Sequence, residues 1–227
     1  MPSDALPRSI NLFVTRPLIT TDKAARDWLV HDLAVSRETL DALEHYVAML
    51  KTESEKQNLI ARSTLETAWA RHVVDSAQLL QHVPKDHQGP WLDLGSGPGL
   101  PGLIVAICTG MPTMLVESRR KRVEFLQQVV EELDLGQIVT IFGSRLEAMQ
   151  SREVGMITAR AFAPLPKLLS LAGRFSTENT FWILPKGKNA VHELDALPRK
   201  WQKLFHVKHS LTDPAAGILC GQGKISA

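Results

Sequence analysis

Trp91-Leu92-Asp93-Leu94-Gly95-Ser96-Gly97-Pro98-Gly99-Leu100-Pro101-Gly102 decides the fold. A short apolar run, Trp91–Leu94, enters a cluster of glycines and prolines, and residues 100–108 beyond it read as an apolar helix. Strand, glycine turn and helix form the local geometry of a nucleotide-cofactor site. Glycine admits positive φ and lets backbone approach a ligand closely. In open α/β sheets that ligand sits outside the carboxyl ends of the strands. Glu117 ends the next strand, where an acidic side chain can take ribose hydroxyls. A carboxylate suits a diol because it accepts two charge-assisted hydrogen bonds.

Two cofactors compete for this loop. Gly97, Gly99 and Gly102 satisfy G-x-G-x-x-G, the dinucleotide pattern, but that match starts three positions past the strand end at Leu94. Gly95, Gly97 and Gly99 follow Asp93 directly and resemble motif I of the S-adenosylmethionine methyltransferases. A dinucleotide presents a pyrophosphate to the helix N-terminus. S-adenosylmethionine has no phosphate; its ammonium group suits an acidic neighbour such as Asp93, directly or through water.

Outward from the loop, strands alternate with amphipathic helices. Strands are expected at 91–94, 113–117, 138–142, 154–159, 180–184, 204–209 and 217–220. Helices fall at 100–108, 119–133, 164–175 and 189–197. This order implies an α/β fold with a mainly parallel sheet. Upstream, residues 36–88 read as a helical segment. Ser36 caps a helix carrying Leu40, Leu43, Val47 and Leu50 on one face, and Ser63 with Glu66 forms a capping box for a second. His72 and Asp75, one turn apart on that second helix, read as a local hydrogen-bonded pair. Pro84, Gly89 and Pro90 mark the boundary to a domain spanning 89–227. Residues 1–35, with Pro2, Pro7 and Pro17, read as a loosely ordered extension with one helix near 23–33.

Composition narrows the class. Of 227 residues, 44% are hydrophobic and 22% charged, which supports a packed core and excludes a disordered chain. The longest apolar stretch falls well short of a membrane span, and the start of the chain lacks the pattern of a secretory signal. Two cysteines supply neither a disulfide framework nor a Cys-rich zinc site. These features point to the cytoplasm. His206 and His209 alternate across a strand, so no metal is expected. The net charge of +2 places any RNA contact in a local patch.

The residues also restrict the chemistry. Methylating C5 of a pyrimidine needs a cysteine nucleophile, yet Cys108 falls inside a helix and Cys220 in the last strand. Methylating an exocyclic amine comes with an Asn/Asp-Pro-Pro-aromatic loop after strand four. Here that stretch reads Ala159-Arg160-Ala161-Phe162-Ala163-Pro164. What remains is an acceptor that is already nucleophilic, such as a ring nitrogen.

Asp93 to Gly102, then Glu117-Ser118, Lys121-Arg122-Val123-Glu124-Phe125-Leu126, Ser144-Arg145-Leu146-Glu147, Thr158-Ala159-Arg160-Ala161 and Lys186-Gly187 resemble the RsmG (GidB) family, as do Asn58-Leu59 and His72-Val73-Val74-Asp75-Ser76. The resemblance runs over about residues 36–215, with the motifs in the family's order. It implies a Rossmann-like class I methyltransferase fold: a seven-stranded mixed sheet with an N-terminal helical segment. It also implies an S-adenosylmethionine-dependent enzyme that methylates N7 of one guanine in the decoding-region loop of 16S rRNA. The 30S ribosomal subunit or its precursor is the implied partner, and a monomer is expected. Gly95, Gly97, Leu100, Glu117, Leu146, Glu147 and Arg160 become the expected cofactor-binding residues, with Arg160 also a candidate for the chemistry. Arg119, Arg122 and Lys186 are expected RNA contacts. Two other readings stay open at this point: a non-catalytic rRNA-binding or assembly factor, and an NAD-binding oxidoreductase.

Overall fold

The computed structural model describes residues 17–85, 87 and 89–226. Seven strands form one sheet in the order β3-β2-β1-β4-β5-β7-β6. β1 (Trp91–Leu94), β2 (Thr113–Val116), β3 (Val139–Phe142), β4 (Met156–Ala159) and β5 (Phe181–Lys186) are parallel. β7 (Gly217–Gln222) runs antiparallel between β5 and β6 (Phe205–His209). Each strand lies within about two residues of its expected place. β1 lies inside the sheet and is buried along its whole length, with Asp93 its one charged side chain. Leu92 and Leu94 join a cluster with Val116, Ile157 and Trp182, whereas Trp91 packs with Val105, Met156 and Ile183.

Helices cover both faces of the sheet. α1 (Asp22–His31), α2 (Arg37–Ser54), α4 (Gly102–Thr109) and α5 (Arg120–Glu132) share one core through Leu29, Leu43, Leu50, Leu103, Leu126 and Trp69. α6 (Leu165–Ala172) buries Leu165, Leu168 and Leu169 in the cluster that holds Leu92 and Trp182. The short helices α7 (Ala190–Asp195) and α8 (Arg199–Gln202) lie between β5 and β6. α2 starts as expected: the Ser36 hydroxyl accepts the Thr39 amide at 3.1 Å, and Leu43, Val47 and Leu50 are buried.

The helix expected near 23–33 is present as α1, and one upstream expectation is corrected. Thr21 caps α1, which buries Ala25, Trp28 and Leu29, and the Ile19 amide donates to the Leu211 carbonyl at 2.8 Å. The rest of the expected extension lies outside the described residues. The second helix does not start from the Ser63–Glu66 box. A 3-10 turn occupies Arg62–Thr64, and winding resumes as a π-helix over Trp69–Val74, followed by α3 (Asp75–Ala77) and a 3-10 turn over Gln78–His82. The amides of Trp69 and Ala70 donate to Asp22 Oδ1 at 3.2 and 3.3 Å. The cap therefore comes from α1, far away in sequence, and local spacing cannot reveal it. π-turns of this kind concentrate at functional sites.

Asp22→Ala removes this cap and should lower unfolding free energy by about 1 kcal/mol, as other capping losses do. Urea denaturation of the two proteins checks it, and coincident curves would show that the cap carries no stability.

Candidate active site

The turn after β1 is built around a buried carboxylate. Asp93 is fully buried; Oδ1 accepts the Thr158 hydroxyl at 2.8 Å and Oδ2 accepts the Gly102 amide at 3.2 Å. Trp91 Nε1 donates to the same Thr158 oxygen at 2.8 Å. The chain Trp91–Thr158–Asp93–Gly102 thus ties β1 to β4 and to the start of α4. Burial pushes the Asp93 carboxyl up to about 6. Asp93 therefore acts as an internal strut, with one hydrogen bond on each carboxylate oxygen. Gly102 is needed for close packing. A Cβ there would lie 2.3 Å from Leu115 Cδ2 and 2.9 Å from Asp93 Oδ2. Above the strut, Gly95, Gly97 and Gly99 adopt φ of 66°, 57° and 99°. From α2, the Tyr46 hydroxyl donates to the Pro98 carbonyl at 3.0 Å and braces the turn.

A crevice of about 340 Å³ opens beside Gly95, lined by Glu117 from the end of β2, Leu146 and Glu147 after β3, and Phe162 after β4. Glu117 is buried. Its Oε2 accepts the Gly97 amide at 3.1 Å, and Oε1 accepts the amides of Ser118 and Arg119 at 2.7 and 2.8 Å. These contacts fix the carboxylate at the crevice wall. A Cβ on Gly95 would lie 2.7 Å from Phe162 Cδ2, so only glycine keeps this cradle open. The site fits a nucleoside better than a dinucleotide. The first amide of α4 is already bonded to a buried carboxylate, which disfavours a pyrophosphate at that helix start.

Three of the expected cofactor residues, Gly97, Leu100 and Arg160, are not among the residues that line this crevice. Leu100 is buried in the core with Leu103 and does not line the crevice. Its apolar side chain completes the packing under the turn. Arg119 and Arg122 stand at the rim of this first crevice, and Arg122 Nη1 is 3.5 Å from Glu117 Oε2. Arg160 lines a second crevice, not the first.

That second crevice, about 740 Å³, adjoins the first, and Ala161, Phe162 and Ala163 line both. Ala161 holds φ of 52°, a left-handed conformation that alanine rarely adopts. Three ion pairs line the second crevice. Arg160 meets Asp75 at 3.5 Å, Arg71 meets Asp213 at 3.6 Å, and Lys186 meets Glu193 at 2.9 Å. Lys186, expected as an RNA contact, is therefore a paired and largely buried side chain. Asp75 also accepts the Thr212 hydroxyl at 2.7 Å and Gln78 Nε2 at 3.1 Å, which holds the carboxylate facing Arg160.

His72 and Asp75 do not bond each other. His72 Nε2 is 2.8 Å from the Thr64 hydroxyl, and burial with nearby Arg160 and Arg71 pushes the imidazole down to about 3. Neither cysteine reaches either crevice: burial raises Cys108 to about 12 and Cys220 to about 11. Sequence reasoning missed Ala161 and Phe162 as site residues. Their place at the carboxyl end of β4 was the available signal.

The model of the rRNA small subunit methyltransferase G family, GidB, matches residues 39–217. The chain belongs to that family. Proteins called ribosomal RNA small subunit methyltransferase G are similar to it throughout. The one from Sphingopyxis alaskensis is 52% identical, over 92% of this chain and 89% of the relative. The one from Erythrobacter litoralis is 50% identical, over 91% and 99%. Among solved structures, an RNA methyltransferase from Salinibacter ruber, in complex with S-adenosyl-L-homocysteine, superposes with a TM-score of 0.51 at 15% identity, over 67% of this chain and 92% of that one. A putative methyltransferase from Escherichia coli reaches 0.52 at 14% identity, over 67% and 86%. The fold is that of the class I methyltransferases, and membership of the rRNA small subunit methyltransferase G family makes the chain a methyltransferase enzyme. No helix among the described residues is long and apolar enough to cross a membrane.

Two predictions follow from the site. Gly95→Ala forces the Phe162 ring to move and should weaken S-adenosylhomocysteine binding by more than about ten-fold, or about 1.4 kcal/mol. Calorimetric titration checks it, and unchanged affinity would remove Gly95 from the site. His72 titrates below its unfolded value of 6.5, so its contribution is present above pH 6.5 and fades as pH falls toward 3. Relative to the parent, His72→Asn should gain about 1.4 kcal/mol per pH unit on acidification below pH 6.5. Parallel stability–pH curves for the two proteins would contradict this.

Proposed function

We propose that this chain methylates N7 of one guanine in the decoding-region loop of 16S rRNA, acting on the 30S subunit or its precursor. The observation that carries the reading is the pair of adjoining crevices. One is shaped for a nucleoside donor and the other is large enough for a base, with the Ala161–Phe162–Ala163 wall common to both.

S-adenosylmethionine, when bound, supplies a methyl carbon on a sulfonium sulfur. Glu117 holds the ribose hydroxyls, and Leu146 and Glu147 flank the adenine. The turn at Gly95 and Gly97 lets backbone approach the amino-acid end. Arg160, aimed by Asp75, bridges toward the acceptor. Guanine N7 carries its lone pair in the ring plane and has no proton to lose, so the residues need only align it. Such alignment is worth up to about 7–11 kcal/mol. The second crevice supports an acceptor of this kind, because no thiol among its lining residues could activate a ring carbon. Arg119, exposed at the rim, is the remaining candidate for an RNA phosphate contact, since Arg122 and Lys186 have carboxylate partners.

The test is methyl transfer from labelled S-adenosylmethionine to 30S subunits and to 16S rRNA from cells lacking this protein. The modified base is then mapped by strand scission at N7-methylguanine. One scission in the decoding-region loop is expected, and label at any other atom or base would overturn the reading. Arg160→Ala should reduce the transfer rate at least about ten-fold, the scale of a lost charge-assisted hydrogen bond; full activity would exclude Arg160.

A further inference from the structure

The wall between the two crevices is held from outside by one carboxylate. Glu193 lies on α7, and it lines the second crevice but not the first. Its Oε2 accepts two donors: the Leu165 amide at 2.9 Å and the Lys186 ammonium at 2.9 Å. Lys186 Nζ in turn lies 3.4 Å from the Ala163 carbonyl. The knot therefore grips the 161–165 loop at two points, on Ala163 and on the first residue of α6, and anchors it to the end of β5. The gripped loop contains Ala161 in its left-handed conformation and Phe162, whose ring packs over Gly95. The Lys186 side chain is only 10% exposed, so its pairing with Glu193 is little screened by water.

We propose that Glu193, through Lys186, is a positioning residue for the methyl transfer: it fixes the Phe162 wall and thereby couples the two crevices. A loop carrying an alanine at positive φ does not keep that shape unaided, because the Cβ there crowds the neighbouring carbonyl oxygen. Contacts that over-determine it must come from its surroundings. The Leu165 amide is among the unpaired N–H groups at the start of α6, and a carboxylate is the best acceptor for it. Without Glu193 the ammonium of Lys186 would stay buried at the acceptor crevice without its carboxylate, and it would oppose the positive charge that N7 gains on methylation. The proposal rests on the reading that the crevice at Gly95 takes the methyl donor.

The experiment measures S-adenosylhomocysteine affinity by calorimetry, without RNA, for the parent, Glu193→Ala, Glu193→Gln and Lys186→Met, with thermal midpoints recorded for each. The coupling predicts that Glu193→Ala weakens binding about ten-fold although residue 193 does not line the donor crevice, the scale of a lost hydrogen bond to a charged group. Glu193→Gln keeps an oxygen for the Leu165 amide and should recover most of that affinity. In methyl transfer, Glu193→Ala should lower kcat more than it raises KM for rRNA. If Glu193→Ala does not fold, Lys186→Met, which keeps the apolar stem, is expected to show the same two effects. Folded variants with parental donor affinity and parental kcat would overturn the proposal. A parent that fails to bind S-adenosylhomocysteine would instead overturn the donor-site reading on which it rests.

Discussion

The site depends on one buried carboxylate. Asp93 sits at the centre of the sheet, takes a hydroxyl from β4 and an amide from the start of α4, and so sets the angle at which the chain leaves β1. A charge in that position is costly unless its oxygens are satisfied. Thr158, itself bonded to Trp91, supplies one partner, and Gly102 supplies the other by having no side chain in the way. With the strut in place, the three glycines above it adopt positive φ, and the Gly97 amide meets Glu117 across the crevice. The same carboxylate distinguishes a nucleoside site from a pyrophosphate site, because it already occupies the helix start that a phosphate would use.

The second half of the site is a matter of charge pairing. Arg160, Arg71 and Lys186 each face a carboxylate, and the three pairs come from five parts of the chain: the π-turned segment, the ends of β4 and β5, and the stretches around Glu193 and Asp213. The N-terminal helical segment therefore contributes Arg71 and Asp75 to the second crevice. Arg71 and Asp75 belong to the segment that Asp22 of α1 caps, which links α1 to the second crevice through two hydrogen bonds. The two buried titrating groups here work in opposite directions. Asp93 is pushed up, so its charged form disfavours the fold above about pH 6, and that cost fades as pH falls toward 3.8. His72 is pushed down and disfavours the fold in acid.

The strands and the donor crevice were legible because their signals are local. Apolar runs bounded by turn residues fall at all seven strands, and a glycine cluster next to an acidic strand residue needs no distant partner to be read. Glu117 followed from its place at a strand end, Leu146 and Glu147 from the family resemblance, and all three line the crevice. Two local readings failed for one cause. Asp75 reads as the partner of His72 until Arg160 and Thr212 arrive from far along the chain. Ser63 and Glu66 have capping spacing, yet the cap that forms belongs to Asp22. In both cases a contact of long sequence separation replaced the local one.

A crystal structure of the chain with S-adenosylhomocysteine tests the central claim most directly. The account predicts the ribose on Glu117, the adenine beside Leu146, the sulfur facing the Phe162 wall, and Asp93 still bonded to Thr158 and Gly102. A ligand bound away from Gly95, or an Asp93 carboxylate swung out of its strut to meet it, would contradict the account.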